Sequence, residues 1–142
     1  MQPALFDTSI YVAALRRGDA GVLAIRRLDS GSIVWMSAVV LEELYAGAPG
    51  RGQSVVERLE RDFDRAKRVL VPSLSDWTEA GRVLSCLAVK HNDGQIGQGR
   101  LTNDALIAIS AGRLGIRVIS ANQRDFGRLA EFHSFQWQVA KV

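Results

Sequence analysis

Four carboxylates in this chain stand where they could act together: Asp7 in "FDTS", Glu43 in "LEELYAG", Asp104 in "LTNDALIAIS" and Asp125 in "ANQRDF". Each sits at the border of an apolar stretch. A carboxylate drawn toward a core costs several kcal/mol unless positive charge or hydrogen bonds meet it. Four like charges brought to one place would also repel one another. A divalent cation answers both problems, and hard oxygen ligands without a Cys/His cluster favour Mg²⁺ or Mn²⁺ over Zn²⁺. The two histidines, His91 and His133, have no ligand spacing and are expected on the surface or in satisfied packing sites.

Each acid also has a plainer reading. Asp7 could cap the helix that follows it, although Thr8 and Ser9 could do so equally well. Glu43 and Glu42 are separated by helical geometry. At about 100° per residue, Glu43 projects between Val39 and Gly47 inside the packed sector, whereas Glu42 points nearly opposite Val40, toward solvent. Asp104, at the start of its helix, gains about 0.3–1 kcal/mol from the helix dipole. It nevertheless shares a face with the small residues Ala108, Ala111 and Gly115, which implies close packing over it. Asp125 could cap a short helix from Phe126 to Phe132, and Asn122 could turn the chain after a strand.

The elements that must carry these residues are legible as short apolar runs alternating with helical patterns. Residues 4–7, 32–36, 68–71 and 116–120 end abruptly, as strands buried on both faces do, and 135–139 alternates more weakly. Helices are expected over 8–17, 20–29, 38–46, 53–66, 76–90 and 104–114. This alternation predicts βαβ crossovers and a three-layer α/β/α fold, class α/β, with a central parallel sheet. Ligands in such sheets bind beyond the carboxyl ends of the strands, where the winding reverses. Asp7 follows the first strand, Glu43 lies on the helix after the second, Asn122 and Asp125 follow the strand 116–120, and Asp104 opens the helix that leads into that same strand. The four acids therefore point toward one end of one sheet.

Composition bounds the rest. The 142 residues make one expected domain, 1–142, with 47% hydrophobic and 23% charged residues, as a globular chain has. No apolar run reaches the ~18 residues of a membrane helix, and "MQPALFDTS" lacks the pattern of a signal peptide. The lone Cys86 permits no internal disulfide, consistent with a reducing cytoplasm, and in "VLSCLAV" it is expected as a small core residue. The net charge is +3, and fifteen of the eighteen cations are Arg; with four acids gathered in one site, 18 cations face 11 acids elsewhere. That balance suits a polyanionic partner. Arg16, Arg17, Arg51, Arg100, Arg124 and Arg128 lie near expected strand ends or loops, whereas Arg58, Arg61, Arg65 and Arg68 belong to a solvated, mixed-charge stretch. The tryptophans and tyrosines are too scattered to form a base-stacking platform.

Several chemistries are excluded. There is no GxxxxGK[ST] loop, no GxGxxG after the first strand and no legible Ser-His-Asp arrangement. The glycine-rich stretch 91–100 follows a helix and reads as a flexible loop. An aspartyl phosphatase would need an acid where Ser9 stands.

"LFDTSIYVAAL", "SAVVLEELYAG" and "TNDALIAISAGRLGIRVISANQRDF" resemble the PIN-domain ribonucleases, in particular the VapC-type toxins of bacterial toxin–antitoxin systems. The resemblance runs from about residue 4 to 139 through four motifs in order: D-T/S-S, E-L-x-x-G, an acid opening an apolar helix, and N-x-x-D-F. It implies a PIN-like sheet of four or five strands, an acidic quartet of Asp7, Glu43, Asp104 and Asp125, and polar helpers at Ser9 and Asn122. Where many relatives carry a threonine ahead of that asparagine, Ser120 keeps the hydroxyl. The implied activity is metal-dependent RNA hydrolysis with Mg²⁺ or Mn²⁺, leaving 3′-hydroxyl and 5′-phosphate ends. Asp7, Glu43 and Asp104 would be the main metal ligands, direct or water-mediated, and Asp125 would complete the site or position a second ion. The implied partners are RNA, a VapB-like antitoxin peptide inserted toward the acids, and a second copy in a homodimer. A hydrolase of DNA or a small phosphoester, or a non-catalytic partner-binding module, would use the same residues differently.

Overall fold

A computed structural model describes residues 2–18, 31–48, 50–91 and 100–140. The helix expected over 20–29 and most of the glycine-rich stretch 91–100 lie outside the described residues. Five strands form one parallel sheet: β1 (Gln2–Phe6), β2 (Ser32–Ser37), β3 (Val69–Leu70), β4 (Arg117–Ser120) and β5 (Trp137–Val139). Their order is β3-β2-β1-β4-β5. The winding thus runs outward from β1 to β3 and then reverses, so that β4 pairs with the other side of β1. That reversal, between β1 and β4, is where a crevice opens in sheets of this kind. Along β1, Ala4, Leu5 and Phe6 are all completely buried, as helices on both faces require.

The described helices are α1 (Thr8–Arg16), α2 (Ala38–Ala46), α3 (Gln53–Arg65), α4 (Leu74–His91), α5 (Arg100–Arg113) and α6 (Gln123–Leu129). They sort into two packed groups, α1 to α3 and α4 to α6, as right-handed crossovers on either side of a switch point demand. Helix α2 also packs against α5, which sets the carrier of Glu43 against the carrier of Asp104. Helix α5 is buried on nearly every side, with Ala105, Leu106, Ile107, Ala108 and Ala111 inaccessible or almost so. It ends in a left-handed Gly115 (φ 69°), where the amide of Ile116 donates to the carbonyl of Ala111 at 2.9 Å.

Two expectations need correction. Helix α5 begins at Arg100 rather than Asp104, so Asp104 occupies its second turn and gains nothing from the first. Thr102 and Asn103 are weak helix formers, but Leu101 is buried in line with Ala105 and Ala108, and this packing extends the helix backward. Cys86 is exposed, not core. Helix α4 buries Asp76, Ala80, Val83, Leu84 and Leu87, a stripe that leaves position 86 outside. Smaller shifts have local causes. Helix α4 starts at Leu74 because Ser73 and Asp76 cap it reciprocally: Asp76 Oδ2 accepts from the Ser73 amide at 2.9 Å, and Ser73 Oγ accepts from the Asp76 amide at 3.2 Å. The two histidines are half-buried beside acids, His91 at 3.3 Å from Glu131 and His133 at 4.0 Å from Glu79.

Candidate active site

Asp7 immediately follows β1, and its amide donates to the carbonyl of Ile119 at 3.0 Å, which brings the ends of β1 and β4 together. It occupies the N-cap position of α1, where the Ser9 and Ile10 amides face its carboxyl without forming a capping hydrogen bond of good geometry. Instead Oδ1 accepts from the Ser9 hydroxyl at 2.5 Å and Oδ2 from the Ser120 hydroxyl at 2.7 Å. Asp7 is only 3% exposed. Burial pushes its carboxyl above the ordinary carboxylate value, and the Ser9 and Ser120 hydroxyls, with the Ile10 and Ser9 amides, oppose that shift without reversing it. All the donors to this buried acid are neutral.

The two hydroxyls are themselves fixed. Ser9 Oγ accepts from the amide of Ala121 at 3.1 Å, and Ser120 Oγ accepts from the amide of Asn122 at 2.8 Å. Asn122 then caps α6 and turns its amide group on Asp125: Oδ1 accepts from the Asp125 amide at 3.3 Å, while Nδ2 donates to Asp125 Oδ2 at 2.8 Å. Asp125 is therefore not the cap but the acid held by the cap. On the other side, Ser37 caps α2 by accepting from the Val39 amide at 3.1 Å, which fixes the helix that carries Glu43. Glu43 is half-buried and Glu42 exposed, as the helical angle predicts. Glu43 Oε1 accepts from the Thr8 hydroxyl at 2.7 Å.

Asp7, Glu43 and Asp125 thus belong to one polar assembly at the switch point, linked through residues 8, 9, 120 and 122. Asp104 is 5% exposed on α5, which lies against α2. The quartet is not drawn into a closed cage: among the described residues, no three His, Cys, Asp or Glu side chains lie close enough together to hold a metal ion. The donor set still suits a hard cation. It is made of carboxylate oxygens, one of them on an acid whose charge is opposed by burial, and Mg²⁺ is commonly held by one or two carboxylates with its remaining positions left to water or phosphate.

A second buried acid shows the contrast. Asp76, 2% exposed, was not singled out by its sequence context. It is met by a guanidinium: Arg113 Nε and Nη2 donate to its two oxygens at 2.9–3.1 Å. Burial works to raise its carboxyl, but Arg113 and Ser73 outweigh burial and hold it below the ordinary value. A structural acid in this fold receives a cation from the chain. Asp7 receives hydroxyls.

Two residues that matter carry little local signal. Thr8 reads as a potential cap, and Ser120 as the hydroxyl that stands where relatives carry threonine. Their partners, Glu43 and Asp7, lie 35 and 113 residues away, beyond any local signal. Of the arginines near strand ends, Arg16, Arg17 and Arg124 are exposed and Arg128 is half-buried; the side chains of Arg51 and Arg100 lie outside the described residues. Tyr11 is a core residue, edge-on to Phe6 at 6.1 Å. Tyr45 donates to Glu60 on α3, and that bond pushes its hydroxyl up to about 12.

A family model for the PIN domain matches residues 4–132. Among solved structures, the chain is similar to DNA-bound VapBC from Salmonella typhimurium, with a TM-score of 0.69, 21% identity and 98% of each chain covered. It is similar to VapBC2 from Rickettsia felis bound to a promoter DNA fragment, with a TM-score of 0.68, 19% identity and coverage of 99% of this chain and 100% of that one. VapBC-1 from nontypeable Haemophilus influenzae gives a TM-score of 0.64 at 23% identity, covering 97% and 98%. At these identities the likeness is one of fold. No curated protein matches the chain.

Proposed function

Because the chain belongs to the PIN-domain family, we propose that it is a metal-dependent endoribonuclease, with residues 1–142 forming a single PIN domain, acting in the cytoplasm as the toxin of a toxin–antitoxin pair. The observation that carries this reading is Asp7: a buried acid at the sheet's switch point that is held only by neutral donors and linked to two further acids.

In this reading Asp7, Glu43 and Asp104 would hold Mg²⁺ or Mn²⁺ directly or through bound water, as their separation requires, with Asp125 completing the set. Bound there, such an ion supplies Lewis-acid polarisation of the scissile phosphate and an activated water. The chain's own residues do the positioning. Ser9 and Ser120 hold Asp7 in one rotamer, and Asn122 turns Asp125 through its side-chain amide. Outer-shell hydrogen bonds of this kind orient metal-binding carboxylates. Exposed Arg16, Arg17 and Arg124 bind the RNA backbone, an interaction in which arginine pairs with phosphate through two parallel hydrogen bonds.

The expected partners follow from the same reading. The similar solved structures are VapBC complexes, which supports an antitoxin partner; the peptide of that partner is expected to insert toward the acids. A second copy of the chain is the other expected partner, and the exposed apolar side chains offered to it include Val71, just after β3, and Leu74 and Trp77 on α4, at 64%, 81% and 54% exposure. Expression in a bacterial host tests the toxin reading. Growth should stop, recover when a small gene beside this one is co-expressed, and continue unaffected for the Asp104→Asn variant. Arrest by Asp104→Asn equal to wild type would contradict it.

A further inference from the structure

We propose that Thr8 is a positioning residue for Glu43, whose hydroxyl sets that carboxylate for a hard divalent cation shared with Asp7; the inference rests on the metal-site reading above. Thr8 Oγ1 donates to Glu43 Oε1 at 2.7 Å, across 35 residues and between α1 and α2. Thr8 is half-buried in the first turn of α1, a helix that packs on β1.

Three physical arguments give this bond a role beyond packing. Glu is a long side chain with several rotamers, and only a donor at a fixed place selects one of them. Thr8 is such a donor, because its branched β-carbon restricts χ1 and its backbone adjoins Asp7. One backbone step therefore fixes the relation between the Asp7 carboxylate and the Glu43 carboxylate.

Charge points the same way. An Arg or Lys at position 8 would neutralise Glu43, as Arg113 neutralises Asp76. A hydroxyl fixes the geometry and leaves the negative charge for a cation. It also engages one carboxylate oxygen, which leaves the other to a metal.

The same kind of donor recurs at the neighbouring acids. Asp7 is held by Ser9 and Ser120, Asp125 by Asn122, and Glu43 by Thr8, in every case by an uncharged donor. Neutral donors at three acids, beside a cation at the structural Asp76, separate the two uses of carboxylates within one fold.

The test is calorimetric titration of the full chain with Mn²⁺ alone, without RNA. Thr8→Val keeps size and branching but removes the hydroxyl; Thr8→Ser keeps the hydroxyl; Asp7→Asn serves as the control. Thr8→Val should weaken Mn²⁺ binding about 10- to 100-fold, the usual cost of losing an outer-shell partner. Thr8→Ser should bind close to wild type, and metal-free melting temperatures of all three Thr8 forms should agree. Thr8→Ala, which introduces no extra methyl contact, must reproduce Thr8→Val. Wild-type affinity in Thr8→Val, with Asp7→Asn defective, would overturn the role of Thr8 alone. Loss in Thr8→Ser equal to that in Thr8→Val would likewise overturn it. If wild type and Asp7→Asn both fail to bind Mn²⁺, the metal-site reading falls and this inference falls with it.

Discussion

The hydroxyl of Ser120 donates to Oδ2 of Asp7 at 2.7 Å, joining the carboxyl ends of β4 and β1 across 113 residues of sequence. Both residues are buried, and the bond spans the point where the sheet reverses its winding. It holds a buried carboxylate through neutral donors without giving it a counter-charge. The functional account grows from that imbalance.

Asp7→Asn should stabilise the metal-free protein. A carboxyl whose folded value is raised above its unfolded one subtracts stability above the folded value and subtracts none below the unfolded one. At pH 7 the wild type carries this cost, so Asp7→Asn should melt a few degrees higher in metal-free buffer. Saturating Mn²⁺ should then stabilise the wild type, by about 2.7 kcal/mol at a hundredfold excess over Kd, and leave Asp7→Asn unmoved. Thermal denaturation with and without Mn²⁺ reads both effects, and a lower metal-free melting point for Asp7→Asn would contradict the account.

Asp76 should behave in the opposite way. Its carboxyl lies below the ordinary value of 3.8, so it contributes stability above that value and loses it as pH falls through the lower folded one. Asp76→Asn should cost about 2 kcal/mol at pH 7, between the figures for exposed and buried pairs because the Arg113 side chain is 39% exposed. Urea titrations at descending pH should show the wild type losing its advantage over Asp76→Asn below about pH 4. An advantage that does not shrink in acid would argue against the pair.

Much of this arrangement is legible in the sequence, for reasons that differ by residue. Asp7 and Asn122 are visible because buried parallel strands end abruptly, so the next polar residue marks a strand end. Glu43 separates from Glu42 because a helix has only one packed sector. What escapes is long-range. The start of α5 depends on where Leu101 packs, and the exposure of Cys86 on which stripe of α4 faces α5. Asp76 looks like any first-turn acid until Arg113 arrives from the end of a helix 37 residues on. Thr8 looks like a cap until α2 brings Glu43 to it.

Leu74→Glu combined with Trp77→Glu should convert a homodimer to a monomer. Both side chains are largely exposed, and two charges inside an apolar contact would remain desolvated and unpaired. Sedimentation should change from twice the chain mass to the single chain mass. A dimer unaffected by both substitutions would place the interface elsewhere.

Arg16→Gln, Arg17→Gln and Arg124→Gln should weaken RNA binding to a similar degree whatever the RNA sequence. Each lost phosphate contact should flatten the slope of log affinity against log salt by about 0.7 for single strands. Fluorescence anisotropy over a salt series measures this, and slopes unchanged by all three substitutions would exclude these arginines from the interface.

The central claim is that the acids around Asp7 cut RNA with a divalent ion. The most direct measurement is cleavage of RNA by the purified, antitoxin-free chain in Mg²⁺ or Mn²⁺, beside EDTA and beside Asp7→Asn and Asp104→Asn. The account predicts cleavage that EDTA abolishes and that each substitution lowers by more than the roughly 100-fold upper range of outer-shell changes. Cleavage that persists in EDTA, or in either variant at the wild-type rate, would contradict it.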